Sequence, residues 1–172
     1  MGRGLHPDFY FNTVYEITPR FLLGQGIEGV ILDIDNTLVY YGVHSPTEEN
    51  TAWILALTAA GLQVAFVSNG YEERVTAFNA PFGFYSTHHA GKPRPGGFLR
   101  AAERMALPPH RVAVIGDQIF TDVWGGNRAG MLTLLVRPIR SEPWLRFKFK
   151  RLLERPIVRR LELHHKEVPD DR

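Results

Sequence analysis

Asp33 and Asp35 stand at the end of an uninterrupted apolar run, Gly29-Val30-Ile31-Leu32. A strand that is apolar on both faces has to be covered on both sides, which is the setting of a central strand in a parallel sheet. Parallel sheets carry their working residues at the carboxyl edge, where this pair lies. Side chains at i and i+2 of an extended chain leave on the same side, about 6 to 7 Å apart. Two carboxylates so placed can address one ligand together and repel each other, so a cation is expected with them.

The rest of the chain repeats the pattern of apolar run and polar end. Ser45-Pro46-Thr47-Glu48 reads as a capping box with Ser45 as N-cap, opening a helix through Trp53, Leu55 and Leu57 that stops at Gly61. Leu62 to Val67 is a second buried strand ending in Ser68-Asn69-Gly70, and Glu72 to Asn79 a short helix. A third strand is expected near Phe82 to Thr87, then Gly91-Lys92-Pro93 and a helix from Gly97 to Met105. Arg111 to Ile115 is a further strand, followed by Gly116-Asp117 and Asp122, a short helix to Arg128, a turn at Gly130 and a last strand, Leu132 to Val136. Strands alternating with helices predict an α/β fold with a doubly wound, mainly parallel sheet.

A chain of 172 residues suffices for one domain with a sizeable core and is too short for two large ones. It has no cysteine, which excludes disulfides, thiolate catalysis and cysteine-ligated zinc and accords with a cytoplasmic setting. No run approaches the roughly 18 apolar residues of a membrane span. We divide the chain into an N-terminal arm packed on the domain, residues 1–28, a catalytic core, 29–140, and a basic, partly helical C-terminal segment, 141–172. From Arg137 to Arg160 there are nine basic residues against two acidic ones, Glu142 and Glu154.

Because parallel strands share one carboxyl edge, the polar groups that follow them converge in space. The chemistry that uses them together is phosphoryl transfer. Asp33 would attack phosphorus in line, while Ser68 and Lys92 donate to the non-bridging oxygens. Mg²⁺ held by oxygen ligands from Asp33 and Asp117 would offset the repulsion between carboxylate and phosphate. Asp35 would protonate the leaving oxygen, then take a proton from the water that cleaves the aspartyl phosphate.

Asp33-x-Asp35-Asn36-Thr37-Leu38, Ser68-Asn69, Lys92-Pro93 and Gly116-Asp117-x4-Asp122 resemble the four motifs of the haloacid dehalogenase (HAD) superfamily of phosphatases. The fourth, Ile115-Gly116-Asp117-Gln118-Ile119-Phe120-Thr121-Asp122-Val123-x-Gly125-Gly126-Asn127-Arg128, is similar to the YqeG type of subfamily IIIA, related to the phosphatidylglycerophosphate phosphatases of mitochondria and plastids. The likeness covers roughly residues 5 to 140, and four motifs in order are far more specific than one. It implies Asp33 as nucleophile, Asp35 as acid and base, and Mg²⁺ on Asp33, the backbone carbonyl of Asp35 and Asp117. It further implies Ser68, Asn69 and Lys92 as substrate-binding residues, with Thr37 and Asp122 in support; Asp122 would hold metal-bound water.

Many HAD enzymes insert a cap domain between the first and second motifs or between the second and third. Here 33 positions separate Asp35 from Ser68 and 24 separate Ser68 from Lys92, intervals already used by predicted elements. A HAD-like domain without a cap is therefore expected, with an open site suited to a large or membrane-borne substrate such as phosphatidylglycerophosphate. Nucleotides, sugar phosphates and phosphoproteins are the alternative substrates. In the basic segment, Leu145, Phe149, Leu152 and Leu153 share one helical face among cations. That face suits peripheral contact with an anionic membrane and equally suits packing on the domain. No specific nucleic acid is expected, since no binding module accompanies the charge.

Blander readings compete for each residue. Asp35-Asn36 alone would be a turn, and Lys92 alone a solvated loop residue. The pairs His88-His89 and His164-His165 point apart on regular elements and lack a third ligand, which argues against zinc. A receiver-like signalling domain also joins aspartate, Mg²⁺ and lysine, but needs a carboxylate after its third strand, and Phe82 to Thr87 has none. Gly125-Gly126 inside a helix suggests close packing against the loop that carries Asp33, and a kink would account for it as well.

Overall fold

The computed structural model describes residues 4–140 and 158–159. Six strands form one parallel sheet: β1 (Phe9–Phe11), β2 (Gly29–Leu32), β3 (Gln63–Val67), β4 (Tyr85–Thr87), β5 (Val112–Gly116) and β6 (Leu132–Val136), in the order β1-β6-β5-β2-β3-β4. The helices are α1 (Pro19–Gly24), α2 (Glu48–Ala59), α3 (Glu72–Asn79), α4 (Gly96–Arg104) and α5 (Trp124–Ala129). The expected doubly wound α/β fold is the one observed.

Period-two alternation sends neighbouring strand residues into two separate cores. Val30 and Leu32 join Phe66, Ile115 and the apolar faces of α2 (Trp53, Ile54, Leu57) and α3 (Val75, Phe78). Ile31 joins Ala65, Val67, Val112 and Val114 under α4, through Phe98, Ala101 and Ala102. Each valine, leucine, isoleucine or phenylalanine among them, fully buried, contributes about 1.5 to 3 kcal/mol over exposure. Burial on both faces is why β2 carries no polar residue until its end.

Chain direction sets where the site falls. From β2 the chain moves by α2 to β3 and by α3 to β4, then crosses back by α4 to β5 on the other side of β2. The order reverses between β2 and β5, where an open sheet leaves a crevice at its carboxyl edge. The intervals between Asp35 and Ser68, and between Ser68 and Lys92, contain only α2 with β3 and α3 with β4. No inserted domain covers the edge there.

Three details depart from the sequence reading. The stretch 1–28 shows no period, yet Phe9–Phe11 pairs in parallel with Leu134 to Val136 as the edge strand, and Phe11, Val14, Ile17 and Leu22 enter the α2-side core. The α2 cap is Thr47 rather than Ser45: its Oγ1 accepts from Asn50 N–H while Asn50 Oδ1 accepts from Thr47 N–H. Buried Asn50 fixes that register, because its Nδ2 also donates to Tyr15 Oη (2.8 Å) and to the Leu38 carbonyl (2.9 Å). Gly125 and Gly126 do not face the Asp33 loop. A Cβ on Gly125 would lie 2.4 Å from the Phe98 ring, and one on Gly126 2.7 Å from Thr133 Cγ2, so they let α5 approach α4 and the sheet.

The proposed interfacial helix within 144–153 and His164-His165 lie outside the described residues. Of the C-terminal segment 141–172, Val158 and Arg159 are described, and Val158 packs against the cluster of Tyr10, Ile119, Val123 and Leu135. No helix among the described residues is long and apolar enough to cross a membrane.

Candidate active site

The β2 strand hands over to a closed loop at Asp33. Asp33 N–H still donates to the Ile115 carbonyl of β5 (3.0 Å), so the pairing holds the residue at the crevice. Beyond it the N–H groups of Leu38 and Val39 both return to the Ile34 carbonyl, and Asn36 turns the chain at φ +63°. Asparagine tolerates that left-handed conformation better than most residues.

Three carboxylates from two strand ends meet here. Asp33, Asp117 and Asp122 are buried and each offers an oxygen within 4.8 Å of the others. Asp117 follows β5 directly, and Asp122 is delivered by one turn of π-helix, Ile119–Val123. Such turns are rare and concentrate at functional sites. Asp122 folds back over Gly116, where a Cβ would sit 2.3 Å from its Cγ, so only glycine fits. Gln118 N–H and Thr121 Oγ1 donate to Asp122 Oδ2 at 3.1 and 3.4 Å.

Lys92 enters from the loop before α4. Its Nζ donates to Asp33 Oδ1 (2.5 Å) and Asp122 Oδ1 (2.6 Å), with 3% of the side chain exposed. Asn69 holds that loop: Lys92 N–H donates to Asn69 Oδ1 (2.9 Å), and Asn69 Nδ2 donates to the Lys92 carbonyl (3.3 Å). One of its two amide N–H groups is thus spent on the lysine backbone. Thr37 Oγ1 lies 3.3 Å from both Asp33 Oδ2 and Asp117 Oδ1 and, with a single proton, donates to one at a time. Ser68, at the end of β3, accepts Gly70 N–H at its Oγ (2.9 Å).

Asp35 looks elsewhere. Its Oδ1 accepts from Nη2 (2.7 Å) and Nε (3.2 Å) of Arg74, a buried residue on α3. Nothing in the local sequence marks Arg74, because an arginine in a short polar helix normally reads as solvated. The available signal was position: it lies one turn into the helix that follows Ser68-Asn69-Gly70, beside the inward-facing Val75. All eight residues singled out in the sequence thus lie at one edge of the sheet, with Arg74 added.

Electrostatically the cluster is out of balance. Burial pushes the Asp33 carboxyl well above the ordinary carboxylate range, Asp122 and Asp117 push it further, and Lys92 opposes them. Burial alone would lower the Lys92 ammonium, but Asp122 and Asp33 outweigh it and the net shift is upward. Three carboxylates against one ammonium leave a formal charge of minus two in a desolvated space. A hard divalent cation with oxygen ligands fits that donor set and charge. Among the described residues this is the only such cluster; His88 instead faces Glu72 at 3.8 Å, and His89 stands edge-on to Tyr71.

The fold and the site both have known relatives. The family model described as "HAD-hyrolase-like" matches residues 89–141. The chain is 38% identical to the probable phosphatase YqeG of Bacillus subtilis over 156 residues, 91% of each chain. It is 30% identical to phosphatidylglycerophosphate phosphatase 1, chloroplastic, of Chlamydomonas reinhardtii, across 70% of this chain and 48% of that longer one. The crystal structure of a HAD phosphatase from Thermococcus onnurineus superposes on 69% of this chain and 90% of its own with a TM-score of 0.56; at 14% identity it speaks for the fold alone. A parallel sheet with this acidic edge and these relatives defines a phosphatase of the HAD superfamily. Within it, the chain belongs to the YqeG family.

Proposed function

We propose that the chain is a Mg²⁺-dependent phosphomonoesterase that works through an aspartyl phosphate on Asp33 and acts on a large or membrane-borne substrate such as phosphatidylglycerophosphate. The observation that carries the reading is the buried meeting of Asp33, Asp117 and Asp122 around Lys92 at an uncapped sheet edge.

Each residue then has a task. Asp33 attacks phosphorus as the ester P–O bond breaks, and Asp35 gives the departing oxygen its proton. Water next attacks the phosphorus of the aspartyl phosphate while Asp35 takes a proton from it, which frees orthophosphate and restores Asp33. Lys92 has three N–H donors, two of them spent on Asp33 and Asp122, so the third is left for a non-bridging oxygen. Ser68 Oγ offers its O–H to another, since its bond with Gly70 uses only a lone pair. Asp33, the backbone carbonyl of Asp35 and Asp117 would hold Mg²⁺, with Asp122 in support. The ion, when bound, supplies positive charge that lets an anionic nucleophile approach an anionic phosphate.

The uncapped edge supports a bulky substrate, because nothing inserted between the motifs has to close over it. The Chlamydomonas relative's name supports a phospholipid head group. The test is orthophosphate release from phosphatidylglycerophosphate in vesicles, set beside soluble nucleotide, sugar and protein phosphates. Turnover should be highest on the lipid and disappear with EDTA. Asp33→Asn should lose at least about 10⁴-fold in kcat, in the range for deleting a covalent nucleophile. Retention of most activity by that variant would remove the assignment, and equal turnover of soluble phosphates would remove the lipid.

A further inference from the structure

We infer that Arg74 is the positioning residue of Asp35, and that by occupying Oδ1 it leaves Oδ2 as the oxygen that exchanges a proton with the leaving group. The inference rests on the proposed role of Asp35 as acid and base and deepens it.

The geometry is asymmetric. An arginine and a carboxylate commonly pair fork to fork, one N–H to each oxygen. Here both Nε and Nη2 converge on Oδ1, at 3.2 and 2.7 Å. Two charge-assisted donors occupy the lone pairs of Oδ1, so a proton settles on Oδ2, where none has to be displaced. With Oδ2 protonated, Oδ1 remains an acceptor for the same two N–H groups. The carboxyl therefore keeps one orientation in both protonation states, as a group that first gives and then takes a proton requires.

Oδ2 also faces the right neighbours. It lies 3.4 Å from the point a Cβ on Gly70 would occupy, and Ser68 Oγ lies 3.1 Å from the same point. The proton-bearing oxygen and the proposed phosphoryl-oxygen donor therefore border one small space, which the missing side chain of Gly70 keeps clear. In the first step Oδ2–H passes its proton to the ester oxygen as the P–O bond breaks. In the second, Oδ2 takes a proton from the water whose oxygen bonds to phosphorus as the bond to Asp33 breaks.

Stability does not explain the pair. The Arg74 side chain is 9% exposed, and burying a guanidinium is costly even when it is paired. Its Nη1 is buried and has no hydrogen-bond partner among the described residues, so the arginine is not fully satisfied by the fold. An apolar residue of similar volume would cost less at this position. What the arginine supplies is a fixed Asp35.

The experiment compares leaving groups in the full-length protein. Single-turnover phosphorylation is measured with an alkyl phosphomonoester, whose alkoxide needs a proton, and with p-nitrophenyl phosphate, whose phenolate leaves without one. Arg74→Met should slow the alkyl substrate about 100-fold and p-nitrophenyl phosphate by less than about 5-fold, because general acid catalysis is lost where it matters. KM should change by less than about 3-fold for both, since ground-state binding is untouched. Millimolar guanidinium should restore about 10-fold of the alkyl rate in Arg74→Ala, and Arg74→Lys should fall between wild type and Met. Thermal unfolding of each variant checks the fold, and Arg74→Lys carries the comparison if Arg74→Met does not fold. Asp35→Asn run alongside separates the two levels. If it spares the alkyl substrate, the reading of Asp35 fails and the inference with it. If Asp35→Asn is impaired but Arg74→Met stays within about twofold of wild type, or slows both substrates equally without rescue, Arg74 does not position the acid.

Discussion

The two edges of the sheet each carry ion pairs at the ends of the same two neighbouring strands, β2 and β5, and the pairs live in different solvents. At the amino edge Glu28, just before β2, and Arg111, just before β5, form an ion pair whose side chains are 46% and 49% exposed. At the carboxyl edge Lys92 pairs with Asp33 and Asp122, and none of the three side chains is more than 9% exposed. Water has already solvated the first pair, so forming it gains little. The second has been stripped of water, and its attraction has to offset a large desolvation cost. A chain selected for stability alone would have placed apolar side chains there. In the mechanism proposed above, the buried pair is kept for what it does to a phosphate.

Removing one partner at the carboxyl edge is the most direct attack on this comparison. Lys92→Met should lose about 3 to 5 kcal/mol of stability, because it leaves Asp33 and Asp122 buried without their counter-charge. Chemical denaturation of the metal-free protein at neutral pH measures it. A loss below about 1 kcal/mol would put the cluster on the same footing as a surface pair.

If the cluster holds Mg²⁺ as proposed, metal and proton compete for the same oxygens, which sharpens the contrast further. Asp33 is raised by burial first, then by Asp122 and Asp117 against the opposing Lys92, so between its ordinary and its raised value the metal-free folded chain holds a proton that the unfolded chain has released. Its contribution to stability therefore falls as pH rises from the ordinary carboxylate value of about 3.9 through the raised one. Mg²⁺ must displace that proton, so stabilisation by saturating Mg²⁺ should grow with pH. At a fixed concentration about 100 times its dissociation constant at pH 8, the ion adds about 2.7 kcal/mol there, and the gain at the same concentration should be clearly smaller near pH 5. Equal gains at the two values would mean that the ion does not bind on Asp33.

Gly116 tests packing at the same edge. A Cβ there would occupy the place of the Asp122 carboxyl, so Gly116→Ala should cost about 1 to 3 kcal/mol as an overpacked site. It should also lower kcat by moving Asp122 off Lys92. An alanine variant with wild-type stability and rate would show that Asp122 has room to shift.

How far the sequence disclosed all this follows from where water is excluded. The strands β2, β3, β5 and β6 are apolar on both faces, and that run of side chains is visible without coordinates, as is the polar residue that ends each of the first three. Parallel topology then gathers Asp33, Ser68 and Asp117, because the ends of such strands share one edge. The edge strand β1 was illegible: three aromatic residues carry no period, and only pairing with Leu134 to Val136 makes them a strand. Asn50 set the α2 cap through two tertiary hydrogen bonds that no local pattern encodes. Arg74 was hidden for the opposite reason, since its partner Asp35 lies 39 positions away and the helix around it is polar. Asn69 reads as a substrate-binding residue from its motif, and what the sequence does not show is that its amide also ties down the Lys92 backbone.

The smallest expected effect lies at the amino edge, and it is the one that closes the comparison. Glu28→Gln or Arg111→Gln breaks a pair in which both side chains stay about half exposed, so each charge left behind is solvated at once. Each variant should lose less than about 1 kcal/mol, the range of exposed ion pairs, and added salt should shrink the difference further. The backbone supports this: Glu28 N–H donates to the Arg111 carbonyl at 2.8 Å and Gln63 N–H to the Glu28 carbonyl at 2.9 Å, so the strands stay in register without the side chains. Activity should not change, since the pair sits at the far end of β2 and β5 from Asp33 and Asp117. Denaturation at low and high salt measures the stability term. A loss comparable to that of Lys92→Met would show that exposure does not distinguish the two edges, and the case for a functional rather than a structural cluster would go with it.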